Sequence, residues 1–339
     1  MPAVAGLRAR RGAAPHGCVR DLGSRGSSVS ARLDAADRWI RDRVAGLGLA
    51  ITGPIEQPHV QPWSTVLRIP TTDGDLYFKA SAPVQAFEVP LLALFEDDFA
   101  DRLPEVLAYD VDRAWMLMRD AGVPLREVVR TRQDVHHWLS TVPLYAEVQI
   151  AAAARVRELL DLGVPDLRLE RLPDEFGALV ARTDLGADER AALHGLRPRL
   201  TALCDELAQD RIPETLQHND LHYNNVLVRD GRHRIFDWGD SSISHPFQTM
   251  RVTITFLKWT LGIVGDDEID RQVRDAYLEP WSGFEARDAL LRSFDLAQMV
   301  AGVSDALTED RVVRACGLQP DPADRRAIPN MLRGVLEEL

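Results

Sequence analysis

The stretch "LQHNDLHYNNVLVRDGRHRIFDWGDSS", residues 216–242, decides the reading of this chain. Its centre is a hairpin signal. Two apolar-rich runs flank Asp230-Gly231, a dipeptide that tolerates the positive φ angles of a two-residue turn. Such a turn brings Asn225, just before the first strand, beside Asp237, just after the second. Asp220 lies five residues ahead of Asn225 on the same loop. One amide and one carboxylate side by side make a hard oxygen site suited to Mg²⁺, which takes few protein ligands and fills its shell with water and phosphate oxygens. A separate carboxylate close by can take a proton from an attacking hydroxyl.

That division of labour fits phosphoryl transfer, where the protein holds metal, orients the nucleophile and neutralises charge. "HNDLHYNN" resembles the H-G-D-x-H-x-x-N loop of the aminoglycoside phosphotransferase and choline kinase family, and "IFDWGD" resembles that family's I-D-W strand end. The resemblance implies a Mg-ATP-dependent kinase acting on a hydroxyl of a small molecule: an amino sugar, aminoglycoside, sugar or amino alcohol. It implies Asp220 as catalytic base and Asn225 and Asp237 as Mg²⁺ ligands. His222 takes the place where protein kinases carry a phosphate-facing lysine, and His218 packs the loop from below. Three other readings compete. Asp and Asn beside a hairpin are ordinary turn formers. A kinase-like protein that binds nucleotide but has lost activity would keep the same residues. His218, Asp220 and His222 could serve a metal-dependent hydrolase, although no other His cluster completes such a site.

The segment upstream agrees with a small β lobe. "STVLRIP" and "DLYFKAS" read as a hairpin around Asp73-Gly74, "VPLLALFEDDF" as a helix with Pro90 in its first turn, and "PEVLAYDVDRAWMLMRDAG" as two more strands. Of 40 basic residues only Lys79 and Lys258 are lysines. Lys79 ends a strand and looks like the lysine that meets nucleotide phosphates in the family, as a compact ammonium can. Its expected partner is Glu88, with Glu96 as second candidate. The loop over the phosphates, "EQPHVQPWSTVL", departs from the pattern by having no glycine, so Ser64 and Thr65 are expected to contribute through hydroxyls and backbone N–H groups. "WMLMRDAG" (115–122) reads as the link between lobes, where the resemblance places adenine contacts around Met118 to Asp120; Met116 reads as core.

The expected fold is α+β, two-lobed and protein-kinase-like. Residues 1–34, rich in Ala, Gly, Arg and Ser, are expected to be a disordered tail; Arg10-Arg11 lacks the apolar run of an export signal. Residues 35–120 form the antiparallel β-rich nucleotide lobe, opening with a helix that carries Trp39, Ile40, Val44 and Leu47. Residues 121–339 form a larger helical lobe, with helices over 141–163, 186–210, 247–263, 267–278, 284–307 and 322–338.

A net charge of −12 argues against nucleic acid as partner. Three scattered cysteines suggest no disulfide framework, and a cytoplasmic location follows. No run reaches the roughly 18 apolar residues of a membrane span. Acids at 265–270 with Trp259 and Trp281 could hold a cationic amine, but capping acids and core tryptophans explain them better. Asp240 stands either against the acceptor or as a turn cap. The family's "GDPxxDLA" stretch is replaced by "SISHPFQTMRV", which lacks its acids.

Overall fold

The apolar stripe of "DAADRWIRDRVAG" forms a helix that starts earlier than expected. A computed structural model of the chain describes residues 26–265 and 268–339. In it α1 spans Gly26–Gly46 and buries Ala36, Trp39, Ile40 and Val44, while Leu47, past its end, is exposed. Residues 26–34 are therefore helix, not tail, and 1–25 lie outside the described residues. The helix belongs to a unit that ends at Thr52; the rest, from Gly53, packs as its own body.

In that body the Asp73-Gly74 turn joins two strands paired along their whole length, from Ser64↔Ser81 to Thr71↔Gly74. β1 (Glu56–Val60), β2 (Ser64–Thr71), β3 (Gly74–Ser81), β4 (Val106–Asp110) and β5 (Trp115–Arg119) make one antiparallel sheet in the order β1-β2-β3-β5-β4. Period-two alternation buries Leu76 and Phe78 on one face of β3 and aims Lys79 and Ser81 to the other, toward α2 (Glu88–Phe95). The expected link at 115–122 is strand as far as Arg119, so only Asp120–Gly122 joins the lobes.

β6 (Val123–Pro124) then opens the helical lobe. It continues through α3 (His136–Ala153), α4 (Val156–Asp161), α5 (Leu172–Arg182), α6 (Ala187–Gly195), α7 (Arg197–Leu207), β7 (Thr215–Gln217), β8 (Val226–Arg229), β9 (Arg232–Ile235) and β10 (Ser242–Ser244). It ends with α8 (Met250–Leu261), α9 (Glu268–Leu278), α10 (Arg287–Ala315) and α11 (Ile328–Glu338). Two expected helices are each broken. At 154–155 the chain leaves the helix, and Arg155 reaches back to the Leu94 carbonyl at 2.8 Å and to Glu158 at 3.0 Å. At Leu196 the break precedes Pro198, which lacks the N–H a continuous helix needs. Helix α5, which buries Leu172, Phe176, Leu179 and Val180 on one face, was not anticipated. No helix among the described residues is long and apolar enough to cross a membrane.

Gly122, where the chain crosses between lobes, has φ +112°, and a Cβ there would lie 2.1 Å from the Val228 carbonyl oxygen. Gly122→Ala combines backbone strain with a backbone clash, so the expected loss is roughly 2–4 kcal/mol. A thermal melt checks it; an unchanged melting temperature would contradict the close crossing.

Candidate active site

Two short ladders hold the candidate site. β8 and β9 pair from Val226↔Ile235 to Arg229↔Arg232 around Asp230 and Gly231, both at positive φ as the sequence demanded. β7 and β10 pair from Thr215↔Ser244 to Gln217↔Ser242. The 218–225 loop leaves β7 and enters β8; the 236–241 loop leaves β9 and enters β10. Both loops are therefore clamped at each end, and the Phe236 N–H donates to the Asn225 carbonyl at 2.8 Å, extending the hairpin to the site.

A buried polar network fixes the first loop from below. The Tyr145 hydroxyl accepts from the His218 N–H at 3.0 Å and from Gln149 Nε2 at 3.0 Å. Thr253 Oγ1 donates to the Leu221 carbonyl at 2.8 Å. Asn219 Nδ2 donates to the Asp240 carbonyl and to Ser242 Oγ, both at 2.9 Å, which ties the two loops together. His218 is fully buried against the Trp238 ring. Its Nδ1 faces the Asp220 N–H at 3.3 Å and its Nε2 the Phe236 carbonyl at 2.9 Å. Burial holds its pKa below the ordinary histidine value, so it is neutral. With both ring nitrogens engaged, His218 has no lone pair for a metal, and the His218/Asp220/His222 hydrolase site fails. No group of three or more His, Cys, Asp or Glu among the described residues is arranged to hold a metal ion.

Asp220 is partly exposed and its orientation is fixed by Asn225, whose Nδ2 donates to Asp220 Oδ2 at 3.0 Å and to its carbonyl at 2.8 Å. With Nδ2 so engaged, the Asn225 Oδ1 is the end of the amide turned away from Asp220. His222 accepts from the Asn224 N–H through Nδ1 at 3.1 Å, and its Nε2 lies 3.4 Å from Asp220 Oδ2. The ring packs on Phe256.

Lys79 joins the two lobes. Its ammonium lies 2.7 Å from Glu88 Oε1 and 2.6 Å from Asp237 Oδ1, with the side chain 1% exposed. Burial alone would lower the Lys79 pKa, but the two carboxylates raise it above the ordinary lysine value. Burial also pushes Asp237 up, yet Lys79 outweighs it and holds Asp237 below the usual carboxylate range. Lys79 and Asp237 are thus both charged. Glu88, not Glu96, is the partner. It also accepts from the Trp238 N–H at 3.0 Å and Ser81 Oγ at 3.0 Å. Asp237 itself is left-handed at φ +66°, a strained conformation for a residue with a Cβ.

The expected nucleotide contacts Ser64, Thr65, Met118 and Asp120 lie on β2, on β5 and at the crossing between lobes. The Ser64 N–H donates to the Gln61 carbonyl at 3.3 Å and closes the β1–β2 turn; Ser64 is buried and Thr65 is paired within the sheet. Met118 is buried in β5, as Met116 is. Asp120 donates its N–H to the Asp75 carbonyl, accepts from the Gly122 N–H at 2.9 Å, and pairs with Arg229. Its side chain braces the crossing between lobes.

Further acids and aromatic rings lie around these loops. Asp240 Oδ1 accepts from Gln85 Nε2 at 2.9 Å. Burial, then the charges of Asp220 and Asp237, push its pKa to about 7. Asp305, 3.2 Å from Arg251, is likewise pushed by burial to about 7, with Glu338 and Asp220 adding to the shift. Beside the loop, Tyr223 stacks on Trp259, whereas Trp281 is core. Asp270 pairs with Lys258, and Asp266 and Asp267 lie outside the described residues.

Comparisons with known proteins follow this geometry. Residues 104–291 match the model of the phosphotransferase enzyme family (APH). No curated protein matches the chain. Among solved structures, the choline kinase LicA from Streptococcus pneumoniae is similar with a TM-score of 0.59 at 12% identity, over 90% of this chain and all of that one. An amicoumacin kinase, hAmiN, in complex with AMP-PNP, Ca²⁺ and Ami, gives 0.57 at 12% identity, over 92% and 96%. The macrolide 2′-phosphotransferase MphH from Brachybacterium faecium gives 0.54 at 17% identity, over 86% and 97%. These likenesses establish the kinase-like fold of an antiparallel lobe and a helical lobe.

The raised pKa of Asp240 has a sign that a melt can read. The folded chain holds a proton at Asp240 up to about pH 7, which the unfolded chain releases near the ordinary aspartate value of 3.8. Stability from this group is therefore full below about pH 4 and is lost as pH rises toward 7. Asp240→Asn removes that loss. Its melting temperature should rise relative to the wild type between pH 4 and pH 8; a constant gap would contradict the buried, shifted carboxyl.

Proposed function

The chain belongs to the phosphotransferase enzyme family, and on that footing we propose that it moves the γ-phosphoryl group of Mg-ATP to a hydroxyl of a small, amine-bearing acceptor. The observation that carries this reading is the Lys79 ammonium wedged between Glu88 and Asp237, in the same loop cluster as Asp220 and Asn225. The amicoumacin kinase structure, which holds AMP-PNP with Ca²⁺, supports a nucleoside triphosphate with a divalent cation.

In this reading Asp220 Oδ takes the proton of the acceptor hydroxyl, and Asn225 Nδ2 keeps that carboxylate turned toward it. Lys79 supplies fixed positive charge to phosphate oxygens in a site with little water to screen it. His222 accepts at Nδ1, so its proton sits on Nε2, where it can donate to Asp220 or to a phosphate oxygen. The Asn225 amide and Asp237 carboxylate are hard oxygen donors and fit Mg²⁺, which they would hold; when bound, it neutralises charge on the phosphates. The acceptor's amine follows from the neighbours of Asp220: Asp237, Asp240 and Asp305 make its surroundings acidic. A cation there would favour the ionised forms of Asp240 and Asp305, whose pKa values burial first and neighbouring carboxylates second push up.

The test is ADP release with a panel of amino sugars, aminoglycosides and amino alcohols, set against neutral sugars. Amine-bearing acceptors should turn over and neutral ones should not. Asp220→Asn should keep MgATP affinity within about threefold while turnover falls by roughly 10²–10⁴, the usual worth of a positioned base. Wild-type turnover in Asp220→Asn would remove Asp220 from the chemistry.

A further inference from the structure

Glu88 is the group that orients Lys79, and α2, which carries it, is only eight residues long. A helix this short is marginal by itself and takes its position from its contacts. The guanidinium of Arg311, on α10 of the helical lobe, reaches both segments that flank Glu88. Its Nη1 donates to the Val84 carbonyl at 2.8 Å, in the turn that leads into α2. The same guanidinium lies over the ring of Phe87, the residue before Glu88, at 5.4 Å. Its Nη2 donates to the Gly239 carbonyl at 3.2 Å, next to Trp238, whose N–H donates to Glu88 Oε1.

The approach of the two segments is close. A Cβ at Gly239 would stand 2.8 Å from the end of the Gln85 side chain, so the loop after Asp237 and the turn before α2 are in close contact there. Gln85 closes the same junction by its bond to Asp240. The Arg311 side chain is 20% exposed, and its planar fork satisfies two carbonyls on different segments at once, which a lysine cannot do with equal geometry.

We infer that Arg311 is a positioning residue for nucleotide binding: it clamps α2 to the loop after Asp237 and so holds Glu88 where it meets Lys79. Arg311 acts through Glu88. The inference rests on the nucleotide reading of Lys79 above. It also gives α10 a double role, since Asp305, near Asp220, sits on the same helix.

The experiment is calorimetric titration of MgATP into the full chain and five variants. Arg311→Ala should weaken MgATP roughly tenfold, and Arg311→Lys should recover part of that loss. When Glu88 is already Gln, adding Arg311→Ala should change affinity less than about twofold, because the residue it positions is disabled. Arg314→Ala, one turn along α10 on an exposed side chain, should bind as the wild type does. Equal weakening by Arg311→Ala in both backgrounds, or a lower melting temperature with unchanged affinity, overturns the inference alone. A wild type that does not bind MgATP overturns the nucleotide reading and this inference with it.

Discussion

A single buried ammonium organises this molecule. Lys79 comes from the sheet, Glu88 from the short helix behind it, and Asp237 from the hairpin of the other lobe. Removing a charge from water is costly, and the pairings offset that cost only if both carboxylates are held at bonding distance. Every element around the ammonium can be understood as meeting that condition. The sheet delivers Lys79 and Ser81 on one face, the Trp238 N–H takes part of the Glu88 charge, and Asp237 accepts a left-handed backbone to reach its partner. A buried pair that spans two lobes also fixes their relation, which is the form of preorganisation that electrostatic catalysis requires.

The second constraint is closure of the loops. Residues 217 to 242 leave one ladder, turn through another and return to the first. Asp220, Asn225 and Asp237 are thereby set on backbone with little freedom, and side chains from α3 and α8 secure it further. Burial first, and neighbouring carboxylates second, push Asp240 and Asp305 up to about 7.

Much of this was legible in the sequence where the signal was local. Asp230-Gly231 between apolar runs allowed one hairpin, and that hairpin juxtaposed Asn225 with the Asp237 segment. Lys79, nearly alone among arginines, stood out by composition, and Glu88 lay on the next helix. Other features had no local signal. β7 and β10 are three residues each, too short for periodicity, and their pairing spans the whole loop. The break between α3 and α4 has a long-range companion, the bond from Arg155 to the Leu94 carbonyl. Asp120 pairs with Arg229, 109 positions away. Asp305 and Arg311 both lie on α10, and Arg311 falls beyond the 284–307 span expected for that helix. In each case a distant partner, absent from any window of residues, decided the outcome.

The account stands or falls on whether the Lys79–Asp237 junction is a nucleotide site. Calorimetric titration of ATP into the wild-type chain, once with Mg²⁺ and once with EDTA, tests this most directly. Saturable binding in Mg²⁺ that weakens at least roughly tenfold in EDTA is the expected result, because Asn225 and Asp237 would hold the ion against the phosphates. Equal affinity in both buffers, or no binding of ATP at millimolar concentration, would contradict it and leave the buried ammonium as a purely structural joint between the lobes.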